Sequence, residues 1–243
     1  MTTAAASSDH PGLQIRPVER PVPLRHSVYE AMVELVVGGK LSPGQHLVES
    51  ELARQLGVSR QPVREALHRL QAEGWVELRP SQGAFVHVPT EREVDQLLDV
   101  RELLDAEAAR LAARNATPEG MALLRAICRE GAAATESGNL DRLVAANNAF
   151  HASVADMAGN TVLAELAEVV GRRVRWYYRQ VASARGHESW AEHENLMEAI
   201  EARDEAGAAA IAHLHTQRTR TAYHAPHAGV AGDGRRAADL TEA

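Results

Sequence analysis

The stretch Leu41–Val88, LSPGQHLVESELARQLGVSRQPVREALHRLQAEGWVELRPSQGAFVHV, decides the fold of this chain. Leu52, Ala53 and Leu56 recur at three- and four-residue spacing, as do Val63, Ala66, Leu67 and Leu70, so each segment buries one stripe and is predicted to be a helix. Gly57 between them suits the left-handed conformation that ends the first helix, and the Ser59 hydroxyl is placed to cap the amides opening the second. The pattern is a helix-turn-helix. Arg60 and Arg64, one turn apart at the start of the second helix, project from the end that such proteins insert into the major groove, where a guanidinium grips a guanine edge bidentately. Ser59 and Gln61 sit beside them. Trp75–Leu78 and Ala84–Val86 read as two short strands around a Pro80-Ser81-Gln82-Gly83 turn, a wing that puts Arg79, Gln82 and Gly83 near the DNA backbone or minor groove.

Outward from this stretch, Leu24–Val37 carries Val28, Met32, Leu35 and Val36 on one side and ends at Gly38-Gly39, which predicts a first helix packed on the helix-turn-helix. After Val88, Pro89 breaks the pattern and Thr90 with Glu93 makes a capping box. From there to His224 no strand is legible, only helical segments: Glu91–Arg114, Thr117-Pro118 to about Gly138, Leu140–Ala158, Thr161–Ala184, Glu188–Arg203 and Glu205–Tyr223. The predicted fold is mainly α, a winged helix-turn-helix followed by an antiparallel bundle of about six helices. The expected organisation is an arm at 1–20 whose Arg16 and Arg20 are read as solvated rather than on phosphate, a DNA-binding domain at 21–89, a helical domain at 90–224, and a patternless tail at 225–243.

The chain has 243 residues, 45% of them hydrophobic but only 4% aromatic, so the core must be built from Leu, Ala and Val. A net charge of −7 excludes indiscriminate coating of nucleic acid and makes DNA binding depend on placed residues. Cys128 is the single cysteine and lies among Leu123, Leu124 and Ile127, which points to a buried thiol rather than a reactive one. With neither a membrane-length apolar run nor a charged-then-apolar leader, the expected location is the cytoplasm.

Three of the twelve histidines, His151, His193 and His215, stand beside apolar helical positions in the second half. Asn147 lies one turn before His151, so the two share a face and offer an oxygen and a nitrogen to one ion. A single histidine in such a place is ordinarily a hydrogen-bonded boundary residue; the set of three is what points to a metal. Arg101 falls in an otherwise apolar stretch, either facing a cavity or ion-paired, and Arg172, Arg173 and Arg175 beside Trp176, Tyr177 and Tyr178 form a second cluster, a binding face or a packing or subunit contact.

Gly39–Gly44, Leu52–Leu70 and Glu73–Val76 resemble, in order, the G-x-L-x-P-G, L-A-x-x-L-G-V-S-R-x-P-V-R-E-A-L-x-R-L and E-G-x-V phrases of GntR-family transcriptional regulators. The resemblance puts paired recognition arginines at Arg60 and Arg64 and the wing glycine at Gly83. Where some members carry a further DNA-contacting arginine, this chain has Ser50, so that contact is missing or replaced. The second half resembles the FCD ligand-binding domain of the FadR branch: Phe150-His151, then His193–Asp204, then His215 in the last helix. That implies a divalent metal, zinc first and nickel or manganese next, held by Asn147, His151, His193 and His215 beneath an effector cavity, with His213 rejected. Asn147 stands where many members have Asp, and a neutral oxygen is the weaker ligand. The resemblance spans roughly residues 22–224.

Together these imply a homodimeric, sequence-specific regulator, a repressor, that reads a two-fold double-stranded operator and responds to a small organic acid held by Arg101 and Arg175. It is not expected to be an enzyme or to engage a membrane. Two other readings stay open, a regulator with a structural metal or none and no effector, and a metal-dependent hydrolase with an appended DNA-binding domain. The hydrolase wants a general base, yet Glu192 and Glu194 are expected to point away from His193, and no acid lies within a turn of His151 on the Asn147 face.

Overall fold

In the computed structural model, which describes residues 24–179 and 181–225, three helices and a small sheet precede six further helices. The expected arm at 1–20, with Arg16 and Arg20, lies outside the described residues, as does 226–243 of the expected tail. The N-terminal part is α1 (Leu24–Val37), β1 (His46–Leu47), α2 (Glu49–Leu56), α3 (Arg60–Ala72), β2 (Val76–Arg79) and β3 (Gly83–Val86). Gly57 ends α2 at φ +66°, and the Val58 amide donates to the Ala53 carbonyl at 3.0 Å. Ser59 is the N-cap of α3 in extended conformation, but its hydroxyl caps nothing, contrary to expectation. Pro62 occupies the third helical position, so the amide an N-cap side chain ordinarily receives there does not exist.

The wing has three strands rather than two, in the order β1-β3-β2. β2 and β3 pair antiparallel from Val76 opposite Val86 to Arg79 opposite Gly83, and β1 adds His46 opposite Phe85 and Leu47 opposite Ala84. Two residues are too few to show alternation in sequence, which is why periodicity does not announce β1. The core of this part, with Met32, Val36, Val63, Leu70 and Val86 fully buried, does not close on itself. Val94 and Leu98 of α4 (Glu91–Asn115) and Trp176 and Tyr177 of α7 (Thr161–Tyr178) complete it. Trp176 meets Trp75 at a ring-centroid distance of 5.6 Å, and the Arg173 guanidinium lies 4.7 Å above the Trp75 ring. The basic and aromatic cluster of α7 is therefore largely a contact within the chain.

The helical part is α4 (Glu91–Asn115), α5 (Pro118–Glu136), α6 (Leu140–Met157), α7 (Thr161–Tyr178), α8 (Ala182–Glu201) and α9 (Glu205–His224). The Thr90–Glu93 capping box forms in both directions, at 3.2 and 2.7 Å. Buried Ala108, Ala109, Ala112 and Ala113 give α4 a slim face, while Leu124, Phe150, Trp190 and Ile200 supply the bulk of the core. Cys128 is buried among them. The seventh helix ends at Tyr178 and the eighth begins at Ala182, so the break comes earlier than the expected 185–187. Gly186, which resembles a helix breaker in sequence, lies inside α8, where a side chain would press on Thr135 Cγ2 at 3.0 Å. It is a close-packing glycine.

Candidate DNA-binding face and metal-floored cavity

Arg60 and Arg64 stand exposed on the first turns of α3 and share one carboxylate. Glu49, on α2, accepts from Arg64 Nε and Nη2 at 3.1 and 2.9 Å and lies 3.9 Å from Arg60. These contacts hold Glu49 below the usual carboxylate range, the Arg64 hydrogen bond contributing most. Both arginines border a cleft with Glu49, Ser50, His46, His68, Arg79 and Gly83, so recognition helix and wing converge. Ser50 lines this cleft. Arg79 lies over Phe85 at 4.4 Å and pairs with Glu77. Ser59, Gln61 and Gln82 are exposed but outside the cleft lining, and Gln61 is bonded to Glu65 at 2.9 Å. Gly83 has φ +99°, and a Cβ there would stand 2.8 Å from His46 Nε2.

The other constellation assembles from three helices. His151 of α6, His193 of α8 and His215 of α9 bring one nitrogen each within 4.8 Å of one another. His193 is clamped by Phe150, stacked at 4.2 Å, and by Trp190, edge-on at 4.7 Å. Asn147, one turn before His151, is buried, and its Oδ1 has no partner; neither do His151 Nε2 nor both nitrogens of His193. Three converging imidazoles, with orphaned atoms on His151, His193 and the neighbouring Asn147, fit a divalent cation, because buried polar atoms without partners are otherwise costly. His213 points elsewhere, pairing with Glu102 at 2.9 Å near the surface.

Two carboxylates missed in the sequence join the cluster. Asp105 of α4 lies 3.3 Å from His151 Nδ1 and receives Arg101 Nε at 2.8 Å. Glu192 does not simply point away, as its helical position beside His193 suggests: it crosses to α9 and meets His215 Nδ1 at 2.7 Å, while both its oxygens accept from Arg185 at 2.7 Å. Asp105 comes from a helix remote in sequence, and Glu192 serves a different histidine from its neighbour. No local spacing links either residue to its partner.

Burial lowers the proton affinity of all three imidazoles. His193 falls well below the ordinary value, through burial first and then its histidine neighbours; His151 falls through burial and Arg101; His215 is brought to about 4 by burial, against the pull of Glu192. Burial would raise Asp105 and Glu192, but Arg101 and His151 overcome it in the first, and His215 and Arg185 bring the second to about 2. At neutral pH the site therefore holds neutral imidazoles beside ionised carboxylates.

Above His151 and Asn147 opens a cavity of about 540 Å³. Arg101 lines it while ion-paired, so both alternatives for this residue hold at once. Arg172 and Arg175 of α7 line it too, and so do Glu30 and Glu34 of α1, with which they pair at 2.9 and 2.6 Å. One cavity thus runs from Asn147 and His151, at the edge of the histidine cluster, to the first helix of the winged-helix part; His193 and His215 are not in its lining.

Among the described residues no helix is long and apolar enough to cross a membrane. Residues 24–86 match the gntR family of bacterial regulatory proteins, and residues 96–218 match the FCD domain. The chain is 30% identical over 173 residues to the HTH-type transcriptional regulator McbR of Escherichia coli, covering 70% of this chain and 78% of that one. It is 30% identical over 188 residues to the Nta operon transcriptional regulator of Aminobacter aminovorans, covering 74% and 86%. The solved structure of E. coli McbR superposes with a TM-score of 0.74 at 26% identity, over 84% of this chain and 98% of that chain. A GntR-type regulator from Rhodococcus sp. RHA1 shares the fold, with a TM-score of 0.71 at 19% identity over 82% and 96%. The chain belongs to the GntR family of transcriptional regulators, with an FCD domain following its winged helix-turn-helix.

Proposed function

We propose that this regulator is a homodimeric repressor whose affinity for a two-fold double-stranded operator is set by a small organic acid bound in the cavity. The cavity carries this reading: it runs from Asn147 and His151 to Glu30 and Glu34 on α1, so a ligand there touches both functional parts. Residues 21–89 are the DNA-binding unit and 90–224 the effector and dimerisation unit. Arg60 and Arg64 read bases, with Ser59, Gln61, Arg79, Gln82 and Gly83 on the backbone or wing side. Asn147, His151, His193 and His215 would hold a divalent ion, zinc first and nickel or manganese next. That ion, when bound, supplies a Lewis acid for a carboxylate oxygen.

The cavity arginines explain how binding reaches the DNA face. Arg101, Arg172 and Arg175 each already carry a carboxylate from this chain. An incoming organic acid must share or exchange one of them. The Arg101–Asp105 pair is buried and held by His151, whereas Glu34 is mostly exposed and its pair with Arg175 is the weak kind that exchanges readily. An acid that draws Arg175 inward frees Glu34 on α1, the helix packed on recognition helix α3. Two-fold pairing is supported by Val162, Leu166 and Val169, a helical stripe of α7 that is 62, 52 and 66% exposed.

Selection of the genomic fragments the protein retains, followed by Arg64→Ala, tests this function. A bidentate base contact contributes about 1 to 3 kcal/mol of discrimination, so operator affinity should fall about tenfold or more while binding to random DNA changes little. Equal loss on both would make Arg64 a phosphate contact.

A further inference from the structure

The proposed metal ligands do not act alone. His151 and His215 share a construction that His193 lacks: a buried arginine grips a carboxylate, and the carboxylate grips Nδ1 of the histidine. The chains are Arg101–Asp105–His151, drawn from α4 and α6, and Arg185–Glu192–His215, drawn from α8 and α9. Arg185 is also fixed by the Thr219 hydroxyl at 2.6 Å, and both members of the Arg185–Glu192 pair are almost fully buried. A neutral imidazole carries one ring proton, and an ionised carboxylate only accepts. Each carboxylate therefore keeps the proton on Nδ1 and turns the Nε2 lone pair inward, where His151 Nε2 is buried and partnerless.

We infer that Asp105 and Glu192 are positioning residues of the metal centre, each fixing the tautomer and ring orientation of one ligand histidine, with Arg101 and Arg185 holding the carboxylates in place. This rests on the metal proposal above. It gives Arg101 two duties, holding Asp105 through Nε and lining the cavity. It also explains why two buried ion pairs are kept in an Ala- and Leu-built core, where an apolar pair of the same volume would ordinarily serve stability as well. His193 needs no carboxylate because Phe150 and Trp190 hold its ring by packing.

The test is Zn²⁺ affinity by chelator competition, and the Co²⁺ absorption spectrum, for full-length wild type, Asp105→Asn, Glu192→Gln and Glu102→Gln. Glu102 pairs with His213 at the surface and supplies the same chemistry outside the centre. Loss of an orienting partner of this kind weakens metal binding by about 10- to 100-fold. Asp105→Asn and Glu192→Gln should each do so and alter the Co²⁺ spectrum, and Glu102→Gln should do neither. Imidazole ¹⁵N spectra of the wild type should give the Nδ1–H tautomer for His151 and His215, a readout that stands even if a variant fails to fold. Wild-type Zn²⁺ affinity in both folded variants, or an Nε2–H tautomer at either histidine, overturns the positioning role while leaving the metal proposal intact. A wild type that takes up neither Zn²⁺ nor Co²⁺ overturns both.

Discussion

Gly131 offers a test in which two elementary effects oppose each other. It lies inside α5, where replacing glycine with alanine should by backbone propensity alone stabilise the helix by about 1 kcal/mol. A Cβ at Gly131, however, would stand 2.0, 2.1 and 2.3 Å from Cζ2, Cε2 and Cη2 of Trp190. Carbon atoms rest about 3.5 to 4 Å apart, so the indole must withdraw by more than an ångström. It cannot swing like the end of a flexible chain: it is a rigid ring, 4% exposed, set edge-on against Phe150 and His193. Overpacking of this kind costs about 1 to 3 kcal/mol and sometimes more, and the rigid neighbour puts Gly131→Ala at the upper end. Less the helix gain, the net loss is about 2 kcal/mol, or roughly 4 to 8 °C in melting temperature for a chain of this size. Calorimetry should record it, with weaker Zn²⁺ uptake as a second sign because the displaced ring presses on His193. Gly171, where an added methyl would meet nothing within 4 Å, is the control: Gly171→Ala should hold or raise the melting temperature. A Gly131→Ala variant as stable as wild type would refute the packing between α5 and Trp190.

Three other outcomes follow. His215 is buried and its folded value of about 4 lies below the unfolded imidazole value of about 6.5, so the unfolded chain binds the proton first; metal-stripped protein should lose about 3 kcal/mol as pH falls from about 6.5 to 4, read by urea unfolding. Trp176→Ala removes a ring shared by the winged-helix core and α7, and should cost about 3 to 5 kcal/mol with greater protease sensitivity of residues 24–88; an unchanged melt would mean the two parts are packed independently. Leu166→Asp should raise the dimer dissociation constant in sedimentation, and a dimer unaffected by it would move the interface off this stripe of α7.

What is legible in sequence follows from local periodicity and capping chemistry. Gly57, Thr90 with Glu93, and Thr117 with Pro118 mark helix ends through contacts spanning four residues or fewer, and each end lies where those residues put it. The three histidines stand out by resemblance and by their apolar neighbours, and the fold brings them together. Pro62 cancels the expected Ser59 cap, a conflict visible in sequence but outweighed there by the residue type. Gly186 and Gly131 are opaque because their reason is a neighbour on another helix. Asp105 and Glu192 are hidden for the same cause: a carboxylate that orients a histidine needs a spatial relation, not a spacing, and the bundle supplies it by crossing α4 with α6 and α8 with α9. Likewise the reach of the cavity to Glu30 and Glu34 depends on how α1 docks against α7.

The most direct measurement is operator affinity across a panel of small organic acids, with Zn²⁺-loaded wild type and His193→Ala side by side. At least one acid should shift the wild-type dissociation constant by about tenfold or more, a coupling free energy of about 1.4 kcal/mol, and the variant should bind operator but ignore the acid. An acid response that persists in His193→Ala, or none in wild type across the panel, would contradict control of DNA binding through the metal-floored cavity.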